Sequence, residues 1–384
     1  MREKVQAGIP MEWQLLLRCV QPACDPPGIL ALARQQASLS NAIALAEDHG
    51  LLPLVADALE KSGAFGVIAP EVLRTIQESR RSHLLFGLGL QAELYRIVER
   101  FTSQGLESVP VKGPVLSVQA FGNPSLRQYA DIDLLVRHQD VFRAIEIMQE
   151  LGFSGEVSAK MATKKIPGQF LFIREQTRAA VELHTERTLR YFPRPLPIDD
   201  FLRQKETILL DGQSIAALRP ADTLVFICVH GSKHFWEKLL WIADVAGLVT
   251  RRTGLNWEQA FDVAAATGAE RMVRLGLLLA VELLGAKIPA EVLEMVYFDK
   301  QAESLAAEIR GQLMQKGGPE RSAFQRARLR MQLCGNYLRG SRFLLRLAFR
   351  PTAEDWEQGE TAGSRGWLHS VRRPFRLYKK YQTK

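Results

Sequence analysis

The chain has 384 residues, of which 47% are hydrophobic and 24% are charged, and its formal net charge is +8. This composition is typical of a soluble globular protein with a sizeable core. The spacing of Cys19, Cys24, Cys228 and Cys334 supports neither a zinc site nor a disulfide framework. We therefore expect four free thiols in a reducing compartment.

The positive charge is concentrated near the C-terminus. Residues 321–384 contain fifteen Lys or Arg and four Asp or Glu, so the rest of the chain is slightly acidic. This basic region either contacts phosphates or anionic lipid or forms the solvated face of C-terminal helices, and both interpretations stay open. The sequence shows no signal peptide and no apolar segment of transmembrane length, which favours a cytoplasmic protein.

Residues 1–105 are predicted to form an N-terminal helical region. Apolar residues recur at helical spacing over 29–49, from residue 51 onward and over 71–101. No segment of this region alternates apolar and polar residues in the manner of a half-buried strand. The first structural unit is therefore expected to be all-helical.

Residues 106–219 are predicted to form an α/β core. Its helices are expected over 113–121, opened by Gly113-Pro114, and over 139–151. Asp211-Gly212 is a typical hairpin turn between the last two strands. The strands are predicted at 108–112, 131–136, 153–157, 170–174, 179–184, 208–210 and 214–218.

Residues 220–350 return to helical periodicity, and a basic tail with weak structure signals covers 351–384. In the run 321–350, arginines alternate with apolar residues, and we expect the apolar side chains in the core and the arginines in solvent. The predicted fold class is α+β, a small mixed sheet flanked by N-terminal and C-terminal helical regions. The helices are predicted at 220–234, 236–250, 256–266, 270–285, 289–315 and 322–349.

The strand 131–136 carries two carboxylates, Asp131 and Asp133, at positions two residues apart. Such residues point to the same face of a strand, where their charges repel unless a cation lies between them. Mg²⁺ prefers hard oxygen ligands and is often held by one or two carboxylates together with substrate phosphates. The alternative is that the pair simply faces solvent at a strand end, since this tripeptide pattern is common there.

Three nearby features favour the metal interpretation. Lys112, Gly113 and Pro114 connect a strand to a helix, where free backbone N–H groups and a lysine charge attract phosphate. Arg127 is a candidate partner for phosphate or carboxylate, or else a surface arginine. The strand 179–184 supplies a third carboxylate, Glu182.

Glu182 and His184 share one face of the strand 179–184. Beside the first two carboxylates, Glu182 would complete a metal site or act as a general base for an incoming hydroxyl. His184, on the same face of the strand, would then contact the nucleotide or the acceptor. An exposed strand glutamate is the alternative.

A histidine pair lies near the end of the helix 220–234. His230 and His234 are four residues apart on one face, and Lys233 is adjacent to them. Because no Glu follows His230, a metalloprotease motif is disfavoured. Either these residues present charge to phosphate or acceptor, or the two rings have a structural role against Trp236 and Trp241.

The order of these motifs resembles the uncharacterised bacterial nucleotidyltransferase family of the polymerase-β superfamily. The resemblance covers roughly residues 30–250 and, more weakly, Pro351 and Arg373-Pro374. Asp244, in its last segment, is expected to orient a basic partner rather than to bind metal. The resemblance rests on the segments 109–116, 121–122, 131–136, 151–153, 182–184 and 230–244 and on Arg127.

The resemblance implies a nucleotidyltransferase core that transfers a nucleotidyl group from an NTP to a hydroxyl or phosphate with Mg²⁺ or Mn²⁺. It assigns Gly113 to the phosphate loop, and Asp131, Asp133 and Glu182 to metal binding and catalysis. Relatives usually have Gly-Ser or Gly-Gly where this chain has Gly113-Pro114, and Pro114 removes one N–H from the phosphate contacts.

Two functions are therefore predicted from the sequence. The first is an enzyme that uses an NTP, with ATP as the expected donor, and an unknown acceptor that is a small molecule or a macromolecule. The second is a catalytically silent binding or scaffold protein that contacts nucleic acid or an anionic membrane through its basic C-terminal region.

Overall fold

The computed structural model describes residues 9–155, 170–185, 191–315 and 321–349. Its N-terminal part is helical, as predicted, but the predicted helix over 29–49 is two helices. The chain leaves helical geometry at Gln35, whose ψ is 79°, although the apolar spacing continues across the break. The helices are α1 Met11–Val20, α2 Pro26–Ala33, α3 Gln36–Asp48, α4 Leu52–Lys61 and α5 Pro70–Ser103.

A five-stranded mixed sheet follows, with the strand order β1-β2-β5-β4-β3. The β2 and β5 strands are parallel, and the other neighbours are antiparallel. The predicted α+β class is confirmed. The elements of this part are β1 Ser108–Pro110, α6 Gly113–Phe121, β2 Ile132–Val136, α7 Val141–Glu150, β3 Ser154–Gly155, β4 Phe170–Arg174 and β5 Ala179–His184.

Several strand ends differ from the prediction. The β1 strand ends at Pro110, and Lys112 has left the strand to precede α6. Asp131 comes immediately before β2 rather than inside it. The predicted strand 153–157 is seen only as β3, and its last two residues lie outside the described residues.

A separate hairpin and one short helix come next. The turn at Asp211 and Gly212 has φ values of 45° and 84°, a left-handed geometry that suits a two-residue hairpin turn. The α8 helix was not predicted from the sequence, because six residues carry too short a periodic signal. These elements are α8 Ile198–Arg203, β6 Glu206–Leu210 and β7 Gln213–Ala217.

The C-terminal region is helical, but the two longest predicted helices, over 289–315 and 322–349, are each divided. Asp299 caps the second half of the first with its side chain, and Gly335, at φ 88°, interrupts the second. The helices are α9 Pro220–Lys233, α10 Leu239–Arg251, α11 Trp257–Thr267, α12 Glu270–Leu284, α13 Ala290–Tyr297, α14 Lys300–Leu313, α15 Ala323–Leu333 and α16 Tyr337–Phe349.

The last two helices bear out the expectation of buried apolar residues and solvated arginines only in part. Leu329, Leu333, Phe343 and Leu347 are buried, and Arg328, Arg339 and Arg342 are exposed. Phe324, Tyr337 and Leu338 are each more than three-quarters exposed, whereas Arg321 is buried. Periodicity alone therefore assigned these side chains to the wrong environment, because it does not specify which face meets the rest of the protein. The basic tail over 351–384 lies outside the described residues.

Two hydrophobic cores hold the described elements. The first is formed by the N-terminal helices and the C-terminal helices, and it includes residues of β1 and α6 such as Val109 and Leu116. The second lies between the five-stranded sheet, α5 and α7. The β2 strand contributes to both, because Leu135 belongs to the first core and Leu134 to the second.

The four cysteines are free, as expected from their spacing. Cys19, Cys228 and Cys334 are buried, and burial raises the pKa of Cys19 and Cys334 to about 12. Such thiols are poor nucleophiles at neutral pH. Among the described residues, no helix combines the length and the apolar character needed to cross a membrane.

Candidate active site

The pairing of β2 with β5 brings two predicted site residues side by side. Asp133 lies opposite Glu182 in the parallel register, so their side chains leave the same face of the sheet. His184 follows two residues later on that face. Its Nε2 atom is 2.6 Å from Oδ1 of Asp133 and 3.5 Å from Oε2 of Glu182.

Asp133 is the centre of this group. Its buried carboxylate contacts Nζ of Lys112 at 2.8 Å through the same Oδ1 atom that meets His184. Burial raises the pKa of Asp133, but the charge of Lys112 and the contact with His184 outweigh it and hold the pKa well below its usual range. Asp133 is therefore ionised, and its other oxygen, Oδ2, is buried with no hydrogen-bond partner among the described residues.

Asp131 adds to the negative charge at this site. Burial raises the pKa of Asp131, and the charges of Asp133 and Glu182 raise it further. The three carboxylates thus repel one another, and the charges of Lys112 and His184 oppose this repulsion in the pKa of Asp131. A divalent cation would relieve the repulsion, as the spacing of the carboxylates in the sequence predicts.

The donor atoms fit a metal ion. Asp133, Glu182 and His184 each offer one ligand atom, and these atoms lie within 4.8 Å of one another. An ionised carboxylate only accepts hydrogen bonds, so the Nε2–H group of His184 donates a hydrogen bond to Oδ1 of Asp133. With this hydrogen bond His184 would be a positioning group, and the carboxylate oxygens, Oδ2 of Asp133 among them, would be the candidate ligands.

The connection from β1 to α6 reaches the same site. Gly113 has φ 62°, a left-handed conformation that favours glycine, and a Cβ there would lie 3.7 Å from the carbonyl oxygen of Asp131. Pro114 is buried in the first turn of α6. The N-terminus of α6 therefore lies beside Asp131, where its backbone N–H groups, apart from that missing at Pro114, favour an anion.

Arg127 lies beside the carboxylates, but its guanidinium pairs with Asp244 instead of with them. Its Nε and Nη2 atoms donate to the two carboxylate oxygens of Asp244 at 2.8 and 3.0 Å, and both side chains are buried. Its backbone N–H donates to Oγ of Ser117. The expectation that Asp244 orients a basic partner is confirmed, and the geometry gives Arg127 the role of fixing the segment before β2.

The histidine pair forms an aromatic cluster. The ring centroids of His230 and His234 are 4.9 Å apart, and both rings contact Trp241. Burial lowers the pKa of His230 well below its usual value and that of His234 to about 4, with Lys112 and Lys233 adding to both shifts. Both rings are therefore neutral at pH 7.

Trp236 does not join that cluster. Its ring is fully buried against Gly231, where a Cβ would lie 2.5 Å from the indole. Lys233 instead contacts Tyr191, with Nζ 5.2 Å from the ring centroid. Tyr191 was missed in the sequence because it belongs to no motif, and only the tertiary packing places it beside Lys233.

The chain matches a known protein family. A family model described as uncharacterised nucleotidyltransferase matches residues 35–285, which include every candidate residue from Lys112 to Asp244. No curated protein matches the chain.

One solved structure that matches is an antigenic nucleotidyltransferase-like protein from Paracoccidioides brasiliensis, with 13% sequence identity and a TM-score of 0.32. The match covers 53% of this chain and 95% of that chain. The family model spans well over half of the sequence, and the chain therefore belongs to the uncharacterised nucleotidyltransferase family.

Proposed function

We propose that the protein is a metal-dependent enzyme that transfers a nucleotidyl group from an NTP, with ATP as the expected donor, to a hydroxyl or phosphate acceptor. The observation that carries the proposal is the ionised, buried carboxylate of Asp133, whose Oδ2 atom has no hydrogen-bond partner in the part of the chain that the structure describes. Asp133 lies opposite Glu182 in the sheet and two residues after Asp131. Family membership gives independent support.

Asp133 and Glu182, with Asp131 beside them, would hold Mg²⁺ or Mn²⁺. When bound, such an ion neutralises developing charge on phosphoryl oxygens and orients the reacting groups. Glu182 also has the position of a base that accepts the proton of an incoming hydroxyl. His184 keeps Asp133 oriented through its hydrogen bond.

The phosphate contacts would come from Lys112, the N-terminus of α6 at Gly113, and Lys233. Lys112 is paired with Asp133 through one carboxylate oxygen, and its side chain is 13% exposed, so it would be able to contact a phosphate. Arg127 supports this surface indirectly, because its guanidinium is committed to Asp244. The neutral rings of His230 and His234 would contact the nucleotide or acceptor without adding charge.

The proposal is tested by measuring Mn²⁺ binding and transfer of label from α-labelled NTPs to acceptors in a cell extract, with products identified by mass spectrometry. Loss of a metal ligand costs about 3 kcal/mol, so D133N and E182Q should lower transfer roughly 10²-fold. Both variants should also bind Mn²⁺ more weakly.

D262N is the matched control, since Asp262 is an exposed carboxylate on α11, and it should behave as the unmodified protein. Unchanged transfer by a D131A/D133A double variant that keeps its circular dichroism spectrum would exclude this site. If that variant also retained cellular function while truncation after residue 350 abolished it, the binding or scaffold function would replace the enzyme.

A further inference from the structure

Two cations meet one aromatic ring beside the candidate active site. Nζ of Lys233 lies 5.2 Å from the centroid of the Tyr191 ring, and the guanidinium carbon of Arg330 lies 5.6 Å from it. Arg330 also lies 5.3 Å from the ring of Phe235, which Arg321 contacts at 5.2 Å. Helix α15 is thereby connected to the end of α9 through alternating cations and rings.

No described carboxylate neutralises the charge of Lys233 or Arg330. Within 9–155, 170–185, 191–315 and 321–349, neither side chain forms an ion pair with a carboxylate, whereas Arg321 pairs with Glu237 at 2.8 Å. An aromatic face attracts a cation but leaves its net charge in place. Within the same ranges, Nε of Arg330 is buried and has no hydrogen-bond partner. Both groups therefore keep the capacity to bind an anion.

These cations lie within electrostatic reach of the carboxylates. Burial lowers the pKa of Lys233, and the opposing influences include the charges of Glu182 and Asp133. The charge of Arg330 contributes to the lowered pKa of the neighbouring His234. Acidic and basic groups thus line the same region, which is the charge distribution that a metal-bound polyphosphate would match.

We propose that Lys233 and Arg330, which share the Tyr191 ring, form a subsite for the terminal phosphates of the triphosphate substrate. This inference rests on the proposed nucleotidyl transfer and extends it to the leaving group. Arg330 lies beyond residues 35–285, the region matched by the family model, so α15 adds a group to the site that the matched region does not contain.

The subsite has a defined part in the reaction. An acceptor oxygen forms a bond to the α-phosphorus while its proton passes to Glu182, and the bond between the α-phosphorus and its bridging oxygen breaks. The bonding electrons remain on that oxygen, so the departing pyrophosphate carries additional negative charge. Lys233 and Arg330 would stabilise this charge as it develops.

The test measures binding of inorganic tripolyphosphate and of AMP by titration calorimetry, without divalent metal and at low salt. Loss of one charge-assisted contact costs about 1.5–3 kcal/mol, so R330Q and K233Q should weaken tripolyphosphate binding by roughly 10- to 100-fold. AMP binding should change little. R330K, which keeps the charge but loses the planar guanidinium, should show an intermediate loss and guards against misfolding of R330Q.

R328Q is the matched control, because Arg328 is exposed on the same helix. If folded R330Q and R330K bound tripolyphosphate as tightly as R328Q does, the subsite would be refuted while the carboxylate site stayed intact. An equal loss of AMP binding would also overturn the assignment, since it would indicate a site for a single phosphate of the nucleotide or acceptor. Weakened tripolyphosphate binding in a protein that transfers no label would preserve the anion subsite and refute the transfer reaction.

Discussion

Asp131 and Asp133 have the same side chain and lie two residues apart, yet their surroundings shift their pKa values in opposite directions. Asp133 shares one oxygen with Lys112 and His184, and these contacts lower its pKa despite burial. Asp131 lacks contacts of that strength, so burial and nearby acids raise its pKa. The sequence predicted that both carboxylates face one site, but it did not distinguish their ionisation.

Arg127 and Asp244 give the first prediction at the scale of residues. Removing one partner of a buried, bidentate ion pair leaves an unpaired charge, so R127M or D244N should lower the free energy of unfolding by about 3–5 kcal/mol in urea titrations. Replacing both, in R127M/D244L, should recover part of this loss, because no buried charge remains.

The same variants separate two roles for Arg127. A structural role predicts that folded R127M retains the KM for the NTP while its stability falls. A raised KM with unchanged stability would instead show that Arg127 binds substrate directly and that its contact with Asp244 is replaced in the complex. The sequence alone left this choice open, because the partner lies 117 positions further along the chain.

At the scale of elements, the start of α10 depends on a side chain from the end of α3. The backbone N–H of Leu239 donates to Nδ1 of His49 at 3.2 Å, which requires that nitrogen to be unprotonated. Burial, followed by the charge of Lys238, lowers the pKa of His49 to about 4. Histidine thus acts here as a helix N-terminal cap supplied from a distant helix.

A pH-dependent loss of stability follows from this cap. The pKa of His49 is about 4 in the folded protein and about 6.5 when unfolded, so its contribution is complete above pH 6.5 and is lost as pH falls toward 4. H49A should cost about 1 kcal/mol at pH 7, the usual value of a cap, and this difference should shrink by pH 4.5. Urea titrations at both values measure it. An H49A deficit that grows on acidification would contradict the assignment.

The close packing of two helices near the site depends on a glycine that sequence periodicity does not identify. A Cβ at Gly247 of α10 would lie 2.7 Å from the carbonyl oxygen of Ala120 in α6, so these two helices approach closely only because residue 247 is glycine. The α6 helix begins at Gly113, which we propose as part of the phosphate site, and its position therefore depends on α10. No local motif marks Gly247.

At the scale of the whole molecule, one hydrophobic core contains residues from both sides of positions 105 and 219. Val109, Leu116 and Leu135, from the central region, belong to the core that the N-terminal and C-terminal helices share. The sheet that carries the carboxylates is thus covered on one side by residues that are distant in sequence.

This arrangement predicts that residues 106–219 do not fold alone. An isolated fragment of this range would expose the apolar side chains that the flanking helices cover, so it should show no cooperative thermal transition by circular dichroism. The full chain provides the control and should unfold cooperatively under the same conditions. A fragment with a cooperative transition would show that the central region is an independent domain after all.

What the sequence determined was mostly local. Its periodicity placed β4, β5 and the start of α9 correctly, and the order of motifs indicated the family, because strand alternation and turn residues act over a few neighbours. The helix breaks at Gln35 and Gly335 were not predicted, because the apolar spacing continues across them.

Only the tertiary structure decided which distant side chains meet. The parallel register places Glu182 beside Asp133. Long-range packing brings Arg127 into contact with Asp244 and Arg330 into contact with the ring of Tyr191. Strand register and helix contacts depend on how whole apolar faces pack together, and the same local pattern is compatible with many such pairings.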